Sequence, residues 1–500
     1  MNRINLILDN RLRLDPTVID ADTVAALQRE FTHKNPNKDK LLKQAEGAKY
    51  NRSRPYLKFA LAKSASEEPA TIATWALREG ELSLPRGGKD RAVDVLESAG
   101  YLVTIDDRRT MGTLPAPNVK HSVEYRDFQT SIIEAGMREE DGIARSPTGS
   151  GKTEALIGLI AEANLPSLII VNESGLLDQW VRRLRGGLGL SAEQVGIIGE
   201  GKRQCRPITV GMQQTLVRCI DDVAPCFGFV GCDEVHLFAA KTFQEVVDKF
   251  PARYRVGVSA DEKRKDGKEF LLYDTIGPLI ANVSESSVED AGHVIDVEIR
   301  LIPTEFDREW WQELHPQARG MEMNRLLAEM AEDRGRNELA VQLATRIARD
   351  EGQQVLVMAH HVDHCRRLLA DVASVNPRCG LLTGEDKGSY TRTMAGLMQG
   401  SVEVGVGTYK KMGTGIDLKS LSRGIAVTPV HLNRFFLKQL RGRFCRSAEG
   451  KVDSILYTFW DREIFGNAPL ENFKRWARTV RVLHQGGWVD ARNYAKRAAT

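Results

Sequence analysis

The chain has 500 residues, of which 42% are hydrophobic and 27% are charged, with a formal net charge of +3 at pH 7. This length is too great for one ordinary hydrophobic core, so about three domains are expected, and the composition excludes disordered and fibrous proteins. No stretch approaches the roughly 18 uninterrupted apolar residues of a membrane span, and the N-terminal sequence has no secretory signal. Seven scattered cysteines indicate reduced thiols, and we therefore expect a cytoplasmic protein.

Residues 1–118 are predicted to form a small N-terminal α+β accessory domain that binds DNA. Between His33 and Lys63, nine lysines and arginines accompany two acidic residues, with asparagine, proline, tyrosine and phenylalanine between them. Such a segment can follow a phosphate backbone, and it can equally be a solvated basic face. The stretch Thr113-Leu-Pro-Ala-Pro-Asn118 is typical of a linker.

Two successive α/β domains are predicted after this region, over residues 119–300 and 301–460. In both, short β-branched runs alternate with helical stretches, which indicates buried parallel strands. The predicted strands of the first domain are Ser167–Val171, Ile208–Val210, Phe229–Cys232 and Arg255–Val258. Those of the second are Gln354–Met358, Gly380–Leu382, Val402–Val406 and Gly424–Val427. Residues 461–500 are predicted to be a basic helical tail.

A phosphate-binding loop is predicted at Ser146-Pro-Thr-Gly-Ser-Gly-Lys-Thr153, just before an apolar helical stretch. Gly149 and Gly151 let backbone N–H groups turn toward phosphate oxygens, and the helix N-terminus adds partial positive charge. Lys152 would reach the β- and γ-phosphates, and the Thr153 hydroxyl would ligate Mg²⁺. The predicted ligands are therefore ATP and Mg²⁺, and the loop residues are Ser146, Pro147, Thr148, Gly149, Ser150, Gly151, Lys152 and Thr153.

The sequence Asp233-Glu-Val-His236 follows a predicted strand about eighty residues further on. A phosphate loop requires a carboxylate that holds the metal at the end of a neighbouring strand. Asp233 can hold Mg²⁺ through water, and Glu234 can polarise the attacking water. We therefore predict Lys152, Asp233 and Glu234 to be catalytic.

The motifs of residues 120–450, and the order in which they follow one another, resemble those of the superfamily 2 helicases and translocases. Asp233–His236 corresponds to a DEVH box. The resemblance implies an α/β fold of two tandem RecA-like domains with the ATP site between them. It implies that Arg126 and Gln129 belong to the nucleotide site, with Gln129 reading the adenine. It also implies that His236, Ser259 and Asp261 couple hydrolysis to movement, although Asp261 stands where the family usually has threonine.

The second predicted domain carries further motifs of the same family, Val355–Ala359, Gly407–Asp417 and Gln439–Arg446. The resemblance places Gly415, Asp417 and Gln439 at the nucleotide. Arg443 and Arg446, three residues apart on a helical turn, can stabilise charge on the transferring phosphoryl group as arginine fingers do. The residues that the resemblance assigns to nucleic-acid contact are Ser174, Gln179, Gln213, Thr215, Arg264, Asp266 and Thr408.

Arg264-Lys-Asp-Gly267 is similar to an Arg-x-Asp element of the XPB-like and phage UvsW-like DNA helicases, and Leu82–Gly87 with Val95–Arg109 resembles their DNA-sensing domain. This branch implies an ATP-dependent DNA helicase or translocase, monomeric, in a bacterial or phage-infected cell. It would remodel forks, junctions or R-loops in replication, recombination or repair. Its partner would be branched or single-stranded DNA, bound with little sequence specificity.

Three alternatives remain open from the sequence: an RNA remodeller, a restriction-type DNA translocase, and an ATP-switched clamp that binds nucleic acid without unwinding it. Asp261 is the feature that favours the clamp. A zinc site at His361 and Cys365 is also conceivable from their spacing, but the strand-to-helix turn of Val355–Ala359 explains them better. Cys219, Cys226 and Cys232 lack paired-ligand spacing and are expected to be buried thiols.

Overall fold

The computed structural model describes residues 2–49, 56–147, 149–238, 240–260, 264, 266–284, 287–288, 295–415, 418, 421–430, 437, 444 and 451–497. The chain divides into two compact units, one of residues 1–45 and 59–287 and the other of residues 46–58 and 288–500. The first unit contains an N-terminal α+β domain and a RecA-like domain, and the second unit contains another RecA-like domain.

The N-terminal domain is built on a five-stranded sheet with the spatial order β5–β6–β2–β1–β7 and a separate pair, β3–β4. Alternate residues of β1 (Ile4, Leu6 and Leu8) face a core with Leu27 and Leu96, so the period-two pattern of the sequence fixes the buried face. The strands are β1 Arg3–Leu8, β2 Leu12–Leu14, β3 Thr32–Lys34, β4 Thr71–Ala73, β5 Ala76–Arg78, β6 Glu81–Leu84 and β7 Leu102–Asp107. The α-helices are Ala21–Glu30, Pro36–Ala48, Leu57–Glu67 and Lys89–Ser98.

The first RecA-like domain has an eight-stranded sheet with the order β11–β10–β12–β9–β13–β14–β8–β15. Neighbouring strands are parallel except at the edge, where β11 is antiparallel to β10. The strands are β8 Asp141–Arg145, β9 Ser167–Val171, β10 Val195–Gly199, β11 Lys202–Arg203, β12 Ile208–Met212, β13 Phe229–Asp233, β14 Tyr254–Ser259 and β15 Leu279–Asn282. The α-helices are Asp127–Glu139, Lys152–Ala163, Ser174–Leu188, Gln213–Leu216, Ile220–Val223, Ala240–Val247 and Phe270–Thr275.

Every residue of β9 and β13 is buried, because helices cover both faces of this sheet. Strands β9, β13, β14 and β8 lie side by side and run in one direction, so their carboxyl ends share one edge. Ligands of open parallel sheets bind at this edge, where loops leave the strand ends.

The second RecA-like domain has an eight-stranded sheet with the order β18–β19–β17–β20–β21–β16–β22–β23, parallel except for the antiparallel edge strand β23. The strands are β16 Val297–Thr304, β17 Val355–Ala359, β18 Cys379–Leu382, β19 Val404–Thr408, β20 Arg423–Ala426, β21 Ser454–Asp461, β22 Val480–His484 and β23 Gly487–Asp490. The α-helices are Glu309–Glu313, Pro316–Glu332, Arg334–Asp350, Val362–Val375, Lys387–Gln399, Tyr409–Gly415, Arg462–Phe465, Ala468–Lys474 and Ala491–Arg497.

Two predicted boundaries of this domain need correction. The division between residues 300 and 301 cuts through β16, which pairs with β21 and β22 and so belongs to the second sheet. The predicted helical tail over 461–500 contains the hairpin β22–β23. In β22 the side chains of Val480 and Val482 are buried, so a period-two pattern places these residues in the sheet rather than in a free tail.

Buried ion pairs join the N-terminal domain to the first RecA-like domain. The fully buried Arg86 donates two hydrogen bonds to Asp141, at 2.8 and 2.6 Å, and two more to the carbonyls of Ala252 and Arg253. Arg11 donates to Asp248 at 2.5 Å. The predicted linker is also attached to this domain, because the Thr113 amide donates to the Pro225 carbonyl at 3.1 Å. No helix among the described residues is both long and apolar enough to span a bilayer.

Candidate nucleotide site

The predicted phosphate loop connects β8 to the helix Lys152–Ala163. Gly149 and Gly151 have φ of 90° and 83°, in the left-handed region that residues with a Cβ rarely adopt. The Ser146 hydroxyl is buried and donates to Ser150 Oγ at 2.6 Å, while Ser150 donates to the Pro147 carbonyl at 2.7 Å. The Ser146 side chain thus contributes a hydrogen bond that holds the loop closed on itself.

Gln129 braces the same loop from the preceding helix. Its Nε2 donates to the carbonyls of Ser150 and Gly151 at 3.0 and 3.3 Å, and its Oε1 accepts from the Arg126 amide at 3.0 Å. A Cβ at Gly151 would lie 2.3 Å from Gln129 Nε2, so only glycine permits this approach. The structure therefore brings Arg126 and Gln129 to the phosphate loop.

Lys152, Asp233 and Glu234 come together at the shared carboxyl edge of the sheet. Lys152 is the first residue of its helix and is buried, with Nζ 3.4 Å from Glu234 Oε1. Asp233 is the last residue of β13, and Glu234 follows it with a φ of 49°. A left-handed conformation at a residue with a side chain stores strain, which is typical of functional sites.

Burial and the neighbouring Glu234 raise the pKa of Asp233 to about 6, while Lys152, Trp180 and Arg183 oppose this shift. Trp180 Nε1 donates to Asp233 Oδ2 at 2.8 Å. A buried carboxylate whose charge is poorly solvated is suited to binding a cation.

His236 and Ser259 connect the strand ends of β13 and β14. His236 Nδ1 and Ser259 Oγ lie 2.6 Å apart in a hydrogen bond, and both residues are buried. The Glu234 carboxylate accepts from the Ala260 amide at 3.4 Å, and its Oε2 is 3.5 Å from His236 Nδ1. Two of the predicted coupling residues are thus in contact, while Asp261 lies outside the described residues.

The residues of this domain that are predicted to contact nucleic acid differ in their exposure. Ser174 and Gln179, on the helix Ser174–Leu188, and Thr215 are partly exposed. Gln213 is only 2% exposed, and its neighbour Gln214 is the exposed amide of this turn. Burial makes Gln213 unsuitable for direct contact with nucleic acid, because its side chain packs inward at the start of a short helix.

Arg264 and Asp266 bind each other. Arg264 Nε and Nη2 donate to the two carboxylate oxygens of Asp266, each at 2.9 Å, and Arg264 is only 8% exposed. The Gly267 amide donates to the Arg264 carbonyl at 3.2 Å, which closes the turn. Arg264 and Asp266 are thus bonded to each other, and the backbone hydrogen bond of Gly267 stabilises the turn.

In the second RecA-like domain, Thr408 ends β19 and is buried, and Gly415 ends the helix Tyr409–Gly415. Five of the predicted site residues, besides Asp261, lie outside the described part of the chain: Thr148, Asp417, Gln439, Arg443 and Arg446. Cys365 is buried in the core and His361 is exposed at the N-cap of its helix, which fits the strand-to-helix turn.

Two groups of residues near the loop are not predicted from the sequence. Trp180 donates to Asp233, and nothing in the residue pattern indicates this bond. His121 Nδ1 lies 2.7 Å from the Tyr125 hydroxyl, and His121 Nε2 lies 3.4 Å from Glu154 Oε2. Burial lowers the pKa of His121. His121 thereby connects Tyr125 to the helix behind the loop, and the sequence spacing does not indicate this contact.

These residues fit ATP and Mg²⁺. The loop presents a helix N-terminus and two left-handed glycines, beside an ammonium group and a buried carboxylate with a raised pKa. Backbone N–H groups and Lys152 suit phosphate oxygens, and Thr153 with Asp233 offers the oxygen ligands that Mg²⁺ prefers.

Several known proteins are similar to this chain. Residues 122–264 match the family model described as "Type III restriction enzyme, res subunit". The chain is 29% identical over 174 residues to the DNA 3'-5' translocase XPB2 of Sulfurisphaera tokodaii (35% of this chain, 39% of that protein). It is 26% identical over 384 residues to the probable helicase D10 of Escherichia phage T5 (73% and 77%), and 23% identical over 353 residues to the ATP-dependent DNA helicase uvsW of Enterobacteria phage T4 (68% of each).

The chain resembles the superfamily 2 helicases of the XPB and UvsW branch. Its match spans well under half of the XPB2 translocase, as the 39% coverage shows. The fold is similar to that of S. cerevisiae Dbp5 bound to RNA and ADP BeF3, with a TM-score of 0.54 at 12% identity over 75% of this chain and 92% of that one.

Proposed function

We propose that this chain is an ATP-driven DNA helicase or translocase of superfamily 2 that remodels branched DNA. The observation that carries the proposal is the meeting of Lys152, Asp233 and Glu234 at one edge of a parallel sheet, beside a glycine loop that opens a helix. The names of its relatives, a DNA translocase and two phage helicases, support the same activity.

Within this site each side chain has a separate task. Lys152 would bind the β- and γ-phosphates. Thr153 and Asp233 would hold Mg²⁺, which would neutralise phosphate charge. Glu234, whose two carboxylate oxygens lie 3.4 Å from Lys152 Nζ and from the Ala260 amide, accepts a proton from the attacking water. From their sequence motifs alone, Arg443 and Arg446 are proposed to stabilise charge on the transferring phosphoryl group, with Asp417 and Gln439 at the nucleotide.

Contacts to DNA are proposed to be made mainly with the phosphate backbone, and hence with little sequence specificity. On the first RecA-like domain the partly exposed Ser174, Gln179 and Thr215 and the exposed Gln214 are suitable donors. On the N-terminal domain Lys34, Lys40 and Lys43 are exposed and add positive charge. We place the protein in the cytoplasm of a bacterial or phage-infected cell, where such DNA is accessible.

The test is ATP hydrolysis by the full chain, alone and with single-stranded DNA, forked DNA or RNA. We expect stimulation by DNA above that by RNA. Lys152→Ala should abolish hydrolysis because the ammonium group near the phosphates is lost, and Glu234→Gln should keep nucleotide binding but lose turnover. Lys202→Ala, which removes an exposed lysine on the edge strand β11, is the matched control and should hydrolyse ATP normally. Substantial hydrolysis by Lys152→Ala or Glu234→Gln would refute the site assignment.

A further inference from the structure

Trp180 contacts the proposed Mg²⁺ site directly. It lies within the helix Ser174–Leu188 and is 1% exposed, and its indole Nε1 donates to Asp233 Oδ2 at 2.8 Å. The helix follows β9, and β9 pairs in parallel with β13, which ends at Asp233. Trp180 therefore extends from the helix after β9 to the carboxyl end of the neighbouring strand β13.

The acceptor distinguishes this tryptophan from other buried tryptophans of the chain. Trp460 and Trp311 donate to backbone carbonyls, those of Gly466 at 2.8 Å and Ile464 at 3.2 Å. A buried indole N–H needs a partner, and a carbonyl is sufficient for that purpose. Trp180 instead donates to an ionisable carboxylate, and hydrogen bonds to charged groups are shorter and stronger than neutral ones. Its bond therefore fixes the orientation of a functional group rather than only completing a core.

The same helix has a second contact with the site, one turn further along. Arg183 Nη1 lies 3.7 Å from Glu154 Oε1, and Glu154 directly follows Thr153 at the start of the helix behind the phosphate loop. Both side chains are partly exposed, so the pair adds little stability by itself. The helix Ser174–Leu188 therefore has a link to each proposed Mg²⁺-binding residue. Trp180 contacts Asp233, and Arg183 contacts Glu154, the residue after Thr153.

We propose that Trp180 is a positioning residue that holds the Asp233 carboxylate in the orientation required for Mg²⁺. This inference rests on the proposed function. Groups that orient metal ligands in this way typically change metal affinity by about 10- to 100-fold when they are removed.

The test uses Trp180→Phe in the full chain, which removes the N–H and keeps an aromatic ring. Equilibrium binding of a fluorescent ADP is followed by anisotropy while Mg²⁺ is titrated. The Mg²⁺ concentration for half-maximal binding should rise roughly tenfold, and saturating Mg²⁺ should restore binding. ATP hydrolysis at a Mg²⁺ concentration that is subsaturating for the variant should fall severalfold. A general loss of structure would weaken nucleotide binding at every Mg²⁺ concentration.

A second variant distinguishes loss of the N–H group from misfolding of Trp180→Phe. Benzothienylalanine at position 180 keeps the bicyclic shape and replaces the N–H by sulfur, and it should reproduce the higher Mg²⁺ requirement. The matched controls Trp311→Phe and Trp460→Phe lose equivalent hydrogen bonds to backbone carbonyls and should keep the wild-type requirement. An unchanged requirement in both position-180 variants overturns the inference alone. A wild-type chain without Mg²⁺-dependent nucleotide binding overturns the proposed function as well.

Discussion

At the scale of single residues, His364 shows how a buried polar group is held neutral in the second RecA-like domain. It is 1% exposed, and its Nε2 lies 2.8 Å from Asn337 Oδ1. Asn337 Nδ2 donates to the Ala331 carbonyl at 3.1 Å, which fixes the amide so that Oδ1 faces the histidine. Nε2 therefore carries the proton and donates it. Burial, together with the charges of Arg336 and Arg367, lowers the pKa of His364 to about 3.

This shift predicts a specific loss of stability in acid. The unfolded chain binds a proton at His364 below its ordinary pKa of 6.5, whereas the folded chain does so only near 3, so stability falls as pH decreases from about 6.5 towards 3. At pH 5 this single group costs about 2 kcal/mol relative to pH 7. His364→Gln, which keeps an N–H donor, should remove that part of the loss. Urea unfolding of both proteins at pH 7 and pH 5 measures it, and equal losses would contradict the assignment.

At the scale of secondary-structure elements, the joint between the N-terminal sheet and the first RecA-like sheet depends on few side chains. Arg86, just before the helix Lys89–Ser98, places its guanidinium against Asp141 at the start of β8. Because this arginine is fully buried, its removal takes both short hydrogen bonds from the Asp141 carboxylate, which keeps only a 3.7 Å contact with Arg109.

Arg86→Met should therefore destabilise the first unit by about 3–5 kcal/mol, the usual cost of breaking a buried ion pair from one side. Thermal unfolding followed by circular dichroism measures the effect. Arg334→Met is the matched control, because it breaks the exposed Arg334–Glu338 pair and should leave the melting temperature unchanged. Equal small effects in the two variants would mean that the joint is held by other contacts.

Elements with strong local signals could be predicted from the sequence. The apolar runs at β9 and β13 and the glycine loop before Lys152 are contiguous in the chain, and the structure has them where they were expected. Strand β21, Ser454–Asp461, was not predicted although it is wholly buried. The sequence predicts helix where the hairpin β22–β23 lies, because a short run with few apolar residues gives a weak period.

Contacts between distant residues could not be predicted in the same way. Trp180 and Asp233 are 53 residues apart, and the order of strands in the sheet brings them together. Arg86 and Asp141 are 55 residues apart, and they meet because the N-terminal domain packs against the first RecA-like domain. The burial of Gln213 could not be predicted either. Gln213 and Gln214 are adjacent residues of the same type, but only Gln214 is exposed. The attachment of the predicted linker Thr113–Asn118 could not be predicted for the same reason, because the Thr113 amide bonds to the distant Pro225 carbonyl.

At the scale of the whole molecule, the formal charge of +3 is too small to attract DNA, so local charge has to do so. Lys34, Lys40 and Lys43 are exposed on the N-terminal domain, around the start of the helix Pro36–Ala48. Replacing all three with glutamine should weaken binding to forked DNA. The slope of log K against log salt concentration should decrease by about 0.9 for each lysine that contacts duplex phosphate.

Isotherms at several salt concentrations measure that slope. A triple variant of Lys120, Lys202 and Lys249, which are exposed elsewhere in the same unit, carries the same change in net charge and is the matched control. We expect a smaller slope only in the variant of Lys34, Lys40 and Lys43. Identical slopes in the two triple variants would show that the N-terminal lysines have no special role in binding DNA.

If ATP hydrolysis at Lys152, Asp233 and Glu234 drives movement on DNA, the full chain should displace a labelled strand from a forked duplex with ATP and Mg²⁺. We expect displacement by the wild-type chain and none by Glu234→Gln, although that variant still binds nucleotide and fork. Two results would refute this mechanism: a wild-type chain that hydrolyses ATP in response to the fork but displaces no strand, or a Glu234→Gln variant that displaces it as fast as wild type.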